Sequence, residues 1–182
     1  MSGVYIHIPF CETKCFYCDF YSVANHSQMD LTIESICREI KLRRDFLSTS
    51  PRTLYIGGGT PSLCTPTQLG RLAAQVCEQF GCDGFEEFTV EVNPEQLNPE
   101  YLASIRRIGV NRLSIGIQSL SDRILQFVNR KHTAAQALQA VRQAQQAGFD
   151  NISVDLIYAI PGLSISELDE SISGVCACIT WN

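Results

Sequence analysis

Three thiols crowd one short stretch of the chain, Cys11-x-x-x-Cys15-x-x-Cys18. Thiolates are soft ligands that select zinc or iron–sulfur clusters. Structural zinc normally takes four ligands, and His7 and His26 are the nearby candidates for a fourth. A cuboidal 4Fe–4S cluster on three cysteines would instead leave one iron without a protein ligand. That iron would be open to the amine and carboxylate of a small molecule. Spacing alone leaves both chemistries open.

Other residues are unusual for where they fall. Glu91 interrupts the apolar run FTVEV, and Asp155 interrupts SVDLIY. An acid in such a run is costly without a partner. Gln118 ends RLSIGIQ, and Gly57-Gly58-Gly59-Thr60 ends TLYI. By itself GGGTP is a phosphate-cradling loop or only a turn. One cationic, hydroxylated ligand would account for Glu91, Gln118 and Asp155 together. The bland alternatives are structural. Glu91 could pair with Arg112 or Arg106, Asp155 could be a satisfied core acid, and Arg130 a solvated helix-end cation. His7 would pack against its strand neighbours, with His26 and His132 as solvated loop residues. Cys37 and Cys77 would fill the core.

Strand-like and helix-like segments alternate. Strands are expected at 3–8, 53–57, 88–92, 112–118 and 151–158. Helices are expected at 30–47, 66–80, 99–108 and 133–147, with a last one beginning over 164–175. Asp30 is a candidate N-cap of the first, with Leu31, Ile36, Ile40 and Leu47 on one face. Asn98-Pro99 opens the third, and Ser164 or Ser166 caps the last. Five β/α units without hairpin signals imply a parallel sheet with right-handed crossovers. The unusual polar residues lie at or just past the ends of five different strands, which is how a barrel builds its site. The dinucleotide fingerprint G-x-G-x-x-G of a doubly wound fold is absent. The fold class is therefore α/β, a partial TIM-like barrel of about five units. A closed barrel needs ~250 residues, so the chain is expected to be truncated at its C-terminus. Residues 1–175 would form an incomplete barrel domain and 176–182 an atypical tail. Such a barrel would expose an edge strand and associate.

The chain has 182 residues, net charge -5, 45% hydrophobic and 18% charged residues. That excludes a disordered tail protein and disfavours a nucleic-acid binder, which needs a basic footprint. No apolar run approaches the ~20 residues that span a bilayer. The start has no basic segment followed by an apolar one, so a cytoplasmic location is expected. Nine cysteines, an odd and unevenly placed set, suit a metal or redox site better than a disulfide scaffold.

YIHIPFCETKCFYCDF, GGGTPS, EVNPE, RLSIGIQS, VNRKHT and DLIYAIPG, in that order, resemble the radical S-adenosylmethionine (SAM) superfamily. Within it they are similar to the oxygen-independent coproporphyrinogen oxidase family, and most to its heme-chaperone (HemW-type) branch. The resemblance spans residues 4–165. It implies that Cys11, Cys15 and Cys18 ligate a 4Fe–4S cluster. It implies that Tyr17 packs near the adenine, and that Gly57, Gly58, Gly59 and Thr60 meet the methionine amino group. Glu91 would bind the same ammonium, and Arg130 the methionine carboxylate. Gln118 and Asp155 would bind the ribose hydroxyls, Ile157 the adenine, and Tyr5 would lie near the sulfonium. The implied chemistry is reductive cleavage of SAM to methionine and a 5'-deoxyadenosyl radical, with an electron donor as partner. Phe20 stands where the decarboxylating oxidases have a further cysteine. The implied activity is thus heme binding and transfer to an accepting protein, with porphyrinogen oxidation as the alternative. The heme-contacting region of that branch would lie C-terminal to this sequence. Ala159 stands where the family usually has glycine.

Overall fold

The computed structural model describes residues 2–178. Five strands form one parallel sheet in the order β1-β2-β3-β4-β5: Gly3–Ile8, Thr53–Gly58, Glu87–Val92, Arg112–Gln118 and Asn151–Leu156. Helices connect them: α1 Met29–Leu42, α2 Pro66–Phe80, α3 Pro99–Arg107, α4 Asp122–Phe127, α5 Ala134–Gln146 and α6 Ile165–Cys178. Strand order equals chain order, so every crossover steps the same way. Right-handed crossovers then stack all the helices on one face of the sheet. This is the expected partial barrel.

Alternation along the strands divides the sheet into two faces. Ile6, Ile8, Leu54, Ile56, Phe88, Val90, Leu113, Ile115 and Ile117 point to the helices and are buried. They join Ile33, Leu69, Leu72, Val76, Leu102, Ile105, Val141 and Ala144 in one apolar cluster. Burying each such side chain contributes about 1.5–3 kcal/mol. The other face carries Tyr5, His7, Tyr55, Glu91, Ser114 and Asp155. No helix of the described residues covers it, so polar side chains are tolerated there.

The helix ends follow local chemistry. Thr65 with Gln68, and Thr133 with Gln136, form reciprocal capping boxes at α2 and α5. The Asn98 side chain accepts from the Tyr101 N–H, with Pro99 in the first turn of α3. At α6 Ser164 caps: its Oγ accepts from the Glu167 N–H at 3.2 Å.

Several expected boundaries are corrected. α1 begins at Met29, so Asp30 lies in its first turn. α1 stops at Leu42 because its apolar face ends there. Met29, Ile33, Cys37 and Ile40 are buried, while Leu31 and Leu42 are exposed. A short helix without such burial is marginal, so Leu47 lies beyond it. α6 continues to Cys178 rather than pausing at 175; residues 179–182, including Trp181 of the expected tail, fall outside the described residues. The last strand ends at Leu156, not 158. A register shift between Gly116 and Gln118 moves its final pairing. The chain then turns through Ala159 at φ 60°, a left-handed conformation unfavourable for a side chain with Cβ. That turn explains why glycine suits this position.

Replacing Ala159 with Gly should therefore stabilise the chain by about 1 kcal/mol. The melting temperature should rise by about 2–4 °C. A calorimetric scan that shows no rise or a fall would refute the strain.

Candidate functional site

The loop after β1 is tied down at many points. The Cys11 N–H donates to Val23 O at 3.1 Å, and Cys18 N–H to Cys15 O at 3.1 Å. His26 Nε2 donates to the Cys11 carbonyl at 3.1 Å and its ring meets Phe10 edge-on. His26 is thus a structural anchor, half-buried, and not the solvated loop residue expected. From 115 residues away, Asn129 Nδ2 donates to Lys14 O at 2.9 Å, and the Phe16 N–H donates to Val128 O at 3.3 Å. Lys131 pairs with Glu12 at 3.1 Å. Asn129 sits at φ 62°, a conformation asparagine tolerates better than most residues. These ties hold Cys11, Cys15 and Cys18 at the lip of one cavity.

Gly58, Gly59 and Thr60 form the adjoining wall of that cavity. Gly58 has φ 119°, and its N–H donates to Glu91 Oε2 at 3.0 Å. A Cβ on Gly59 would fall 2.5 Å from Phe10 O and 2.9 Å from Cys11 Sγ, so only glycine lets this loop approach the thiols. Thr60 Oγ1 donates to Cys11 Sγ at 3.6 Å and accepts from Asn93 Nδ2 at 3.3 Å.

Glu91 lies on the open face of β3. Tyr55 donates its hydroxyl to Glu91 Oε1 at 2.7 Å. Burial first, and then this carboxylate, push the Tyr55 phenol up, which keeps it a donor. The ion-pair alternative for Glu91 is corrected: Arg112 pairs with Glu87 at 3.6 Å, and Arg106 donates to Gly148 O and stacks on Phe149. Arg130 crosses the cavity floor. Its Nη2 donates to Asn93 Oδ1 at 2.9 Å and to Gly116 O, and its Nη1 lies 3.8 Å from Cys15 Sγ. Its Nε is buried and without a partner. It is therefore not the solvated cation of the bland alternative. Asp155 is exposed rather than a core acid, and accepts from Ser114 Oγ at 3.2 Å. Gln118, at φ 69°, closes the far side of the cavity. Such strain in a non-glycine residue gathers at ligand sites.

The cavity is thus lined by Cys11, Cys15, Cys18, Tyr17, Gly58, Gly59, Thr60, Glu91, Gln118, Arg130 and Asp155. Three expected residues stand outside it: Gly57, within β2, Ile157 and Tyr5. Ile157 follows β5, donates its N–H to Gln118 O at 2.9 Å, and packs with Ile124, Val128 and Ile160. Tyr5 lies lower on the sheet, beside Tyr55, with its hydroxyl 3.2 Å from His7 Nδ1. Sequence reasoning missed Tyr55, Asn93 and Ser114. Tyr55 and Ser114 were findable by alternation, because Tyr55 is two residues before Gly57 and Ser114 pairs with Glu91 in register. Asn93 lies within EVNPE, but no pattern says that it would bridge Arg130 to Thr60.

The donor set fits a cluster with a small-molecule ligand better than a single zinc. His7 engages both ring nitrogens, with Tyr5 and Tyr21 O, and His26 engages Nε2 with Cys11 O. An unpartnered buried Arg130 Nε instead suits a carboxylate, and Glu91 across the cavity suits an ammonium.

His132 is a further correction, since it is fully buried. Its Nε2 donates to Ile117 O at 3.1 Å. Its Nδ1 lies 3.3 Å from Glu95 Oε2, close but poorly aligned for a hydrogen bond. Burial alone would push the Glu95 carboxyl up. His132, the residue's own N–H and the Arg130 charge outweigh it and hold that carboxyl below the usual range. The pair braces β4 just before Gln118.

These observations meet the comparisons with known proteins. Residues 5–173 match the radical SAM superfamily, and the chain belongs to that superfamily. The heme chaperone HemW of Lactococcus lactis subsp. lactis is 43% identical over 162 residues, 88% of this chain and 42% of that one. HemW of Bacillus subtilis is 36% identical, over 95% of this chain and 46% of that one. The chain thus spans about half the length of the curated relatives it matches. Coproporphyrinogen III oxidase (HemN) from Escherichia coli superposes with a TM-score of 0.86 at 28% identity, over 97% of this chain and 41% of that one.

Glu95 should contribute stability above its ordinary carboxylate value, ~4.3, and lose it as pH falls through its lower folded value. His132→Ala should therefore cost about 1–3 kcal/mol near neutral pH, as loss of a buried hydrogen-bonding partner implies, and that gap should narrow below about pH 4. Urea unfolding of both proteins across this range checks it. A gap independent of pH would refute the pairing.

Proposed function

We propose that this chain, a radical SAM protein, forms the cluster- and SAM-binding half of a heme chaperone that binds heme and passes it to an accepting protein. Membership of the superfamily implies the cluster and SAM. The single observation that carries the site is the half-buried Arg130 guanidinium beside Cys15, with its Nε buried and unpartnered. It suits a bound carboxylate within reach of the three thiols. Bound there, the cluster would supply one electron to the SAM sulfonium, drawn from a donor protein.

This chain's own residues would do the rest. Cys11, Cys15 and Cys18 would hold three irons as thiolates. Glu91, aligned by the Tyr55 hydroxyl and the Gly58 N–H, would take the methionine ammonium. Arg130, fixed by Asn93 and Gly116 O, would take the carboxylate. Gln118 and Asp155 would accept ribose hydroxyls, and Tyr17 would cover the adenine. Neither Tyr5 nor Ile157 lines the cavity, so their roles near the sulfonium and adenine would need movement of either side chain. Charge complementarity would orient SAM before any electron moves, which is the protein's share of cofactor chemistry.

The heme reading draws on the HemW relatives and on Phe20. Phe20 lines the cavity mouth where the oxidases place a further cysteine, and it is exposed together with Phe16 and Tyr21 on the same loop. Flat apolar surfaces of this kind suit a porphyrin. Porphyrinogen oxidation is the second reading, favoured by the fold likeness to HemN and disfavoured by Phe20. Nine unpaired cysteines suit a reducing compartment such as the cytoplasm. No helix of the described residues is long and apolar enough to cross a membrane.

Anaerobic reconstitution with iron and sulfide, followed by EPR of the reduced protein, tests the site. A 4Fe–4S signal should appear and shift when SAM is added. Glu91→Gln should keep the cluster signal but need at least about tenfold more SAM for the shift, as loss of a charge-assisted contact of about 1.5–3 kcal/mol implies. An unchanged SAM dependence would refute the assignment of Glu91. Heme titration against coproporphyrinogen turnover, in a chain carrying the remaining half, separates the two functions.

A further inference from the structure

We propose that Cys77 and Cys82 form a redox-active dithiol, separate from the cluster cysteines, that closes to a disulfide by exchange with a small-molecule disulfide. The two sulfur atoms lie 3.1 Å apart. That is inside ordinary contact and about 1 Å beyond the ~2.05 Å of a disulfide bond. Both residues are half-buried, so both can be reached from solvent.

The backbone produces this proximity. α2 ends in a left-handed Gly81, φ 65°. The N–H groups of Gly81 and Cys82 both donate to the Cys77 carbonyl, at 2.9 and 3.2 Å. This glycine-terminated helix end brings the residue after the glycine onto the residue five before it. At helix ends of this kind an apolar contact frequently fills that position; here two thiols do. Ser50 Oγ fastens the same turn by donating to Phe80 O and Gly81 O, each at 3.0 Å. The thiols are held together whether or not they are bonded, so little chain movement opposes closure.

The site is also insulated from the SAM cavity. Cys77 and Cys82 precede the N-terminal end of β3, while Cys11, Cys15 and Cys18 follow the C-terminal end of β1. In a parallel sheet these are opposite ends. Oxidation there would leave the cluster ligands untouched.

The exchange balances in two steps. The Cys82 thiolate attacks one sulfur of the small disulfide, RS–SR, giving a mixed disulfide and one RS⁻. The Cys77 sulfur, after losing its proton to solvent, then attacks Cys82 Sγ and releases the second RS⁻. Two protein thiols lose two electrons and two protons, and RS–SR gains them as two RSH. Attack starts at Cys82 because burial first, then contact with Cys82 and the charge of Asp83, push the Cys77 thiol up to about 12. The second step is accordingly the slower and should quicken as pH rises.

The test equilibrates the cluster-loaded chain with glutathione disulfide without oxygen, then alkylates free thiols and maps the peptides by mass spectrometry. The expected result is loss of both alkylation sites at Cys77 and Cys82. The peptide should be lighter by two hydrogens, and the EPR signal unchanged. Cys77→Ala should stop at glutathione attached to Cys82, while Cys82→Ser should leave Cys77 alkylatable. Full alkylation of both thiols in the wild-type chain would overturn the proposal. So would glutathione retained on wild-type Cys82 without closure. The wild-type readout stands even if either variant folds poorly.

Discussion

Arg130 ties together parts of the chain that are far apart in sequence. One guanidinium reaches the Cys15 thiol, the Asn93 amide and the Gly116 carbonyl. It thereby fixes the cysteine loop after β1 to the ends of β3 and β4. Those three segments have no covalent reason to meet. A buried cation needs acceptors on most of its donors, and here acceptors from separate elements supply them. Its Nε remains unpartnered, so the group that organises the cavity also keeps one donor for a ligand.

The rest of the cavity follows from the sheet. Strand alternation with helices on a single face leaves the other face without an apolar cover. Polar residues at alternate positions therefore converge on it: Tyr55 and Glu91, then Ser114 and Asp155. Parallel strands in chain order bring all their C-terminal ends to one side. The loops after β1, β2, β3 and β4 thus contribute to the same cavity, which β5 joins through Asp155, and every loop before a strand lies on the opposite side. The Cys77–Cys82 pair sits on that second side. One fold direction separates two sets of thiols that composition alone would have pooled.

Much was legible before any coordinates. The Cys11–Cys15–Cys18 spacing, the acids inside apolar strands and the β/α alternation depend on local periodicity and residue type, and these act within a few residues. The five strands, the opening of α3 at Asn98-Pro99, and the resemblance to radical SAM proteins all came from such signals. Most of the residues expected to bind SAM do line one cavity.

What only the tertiary structure decided involves long-range partners. His132 read as a solvated loop residue because nothing local marks it for burial; Glu95 and the Ile117 carbonyl enclose it from other elements. Arg112 and Arg106 looked able to neutralise Glu91, yet they turn to Glu87 and Gly148. Ile157 seemed to continue a strand face, until a register shift at Gly116 and a left-handed Ala159 turned it into a second apolar cluster. Sequence determined which chemistry the residues could do, because side-chain type and short-range spacing are local. Pairing of buried charges and exact strand ends depended on which distant groups share one low-dielectric space, and only the folded chain sets that.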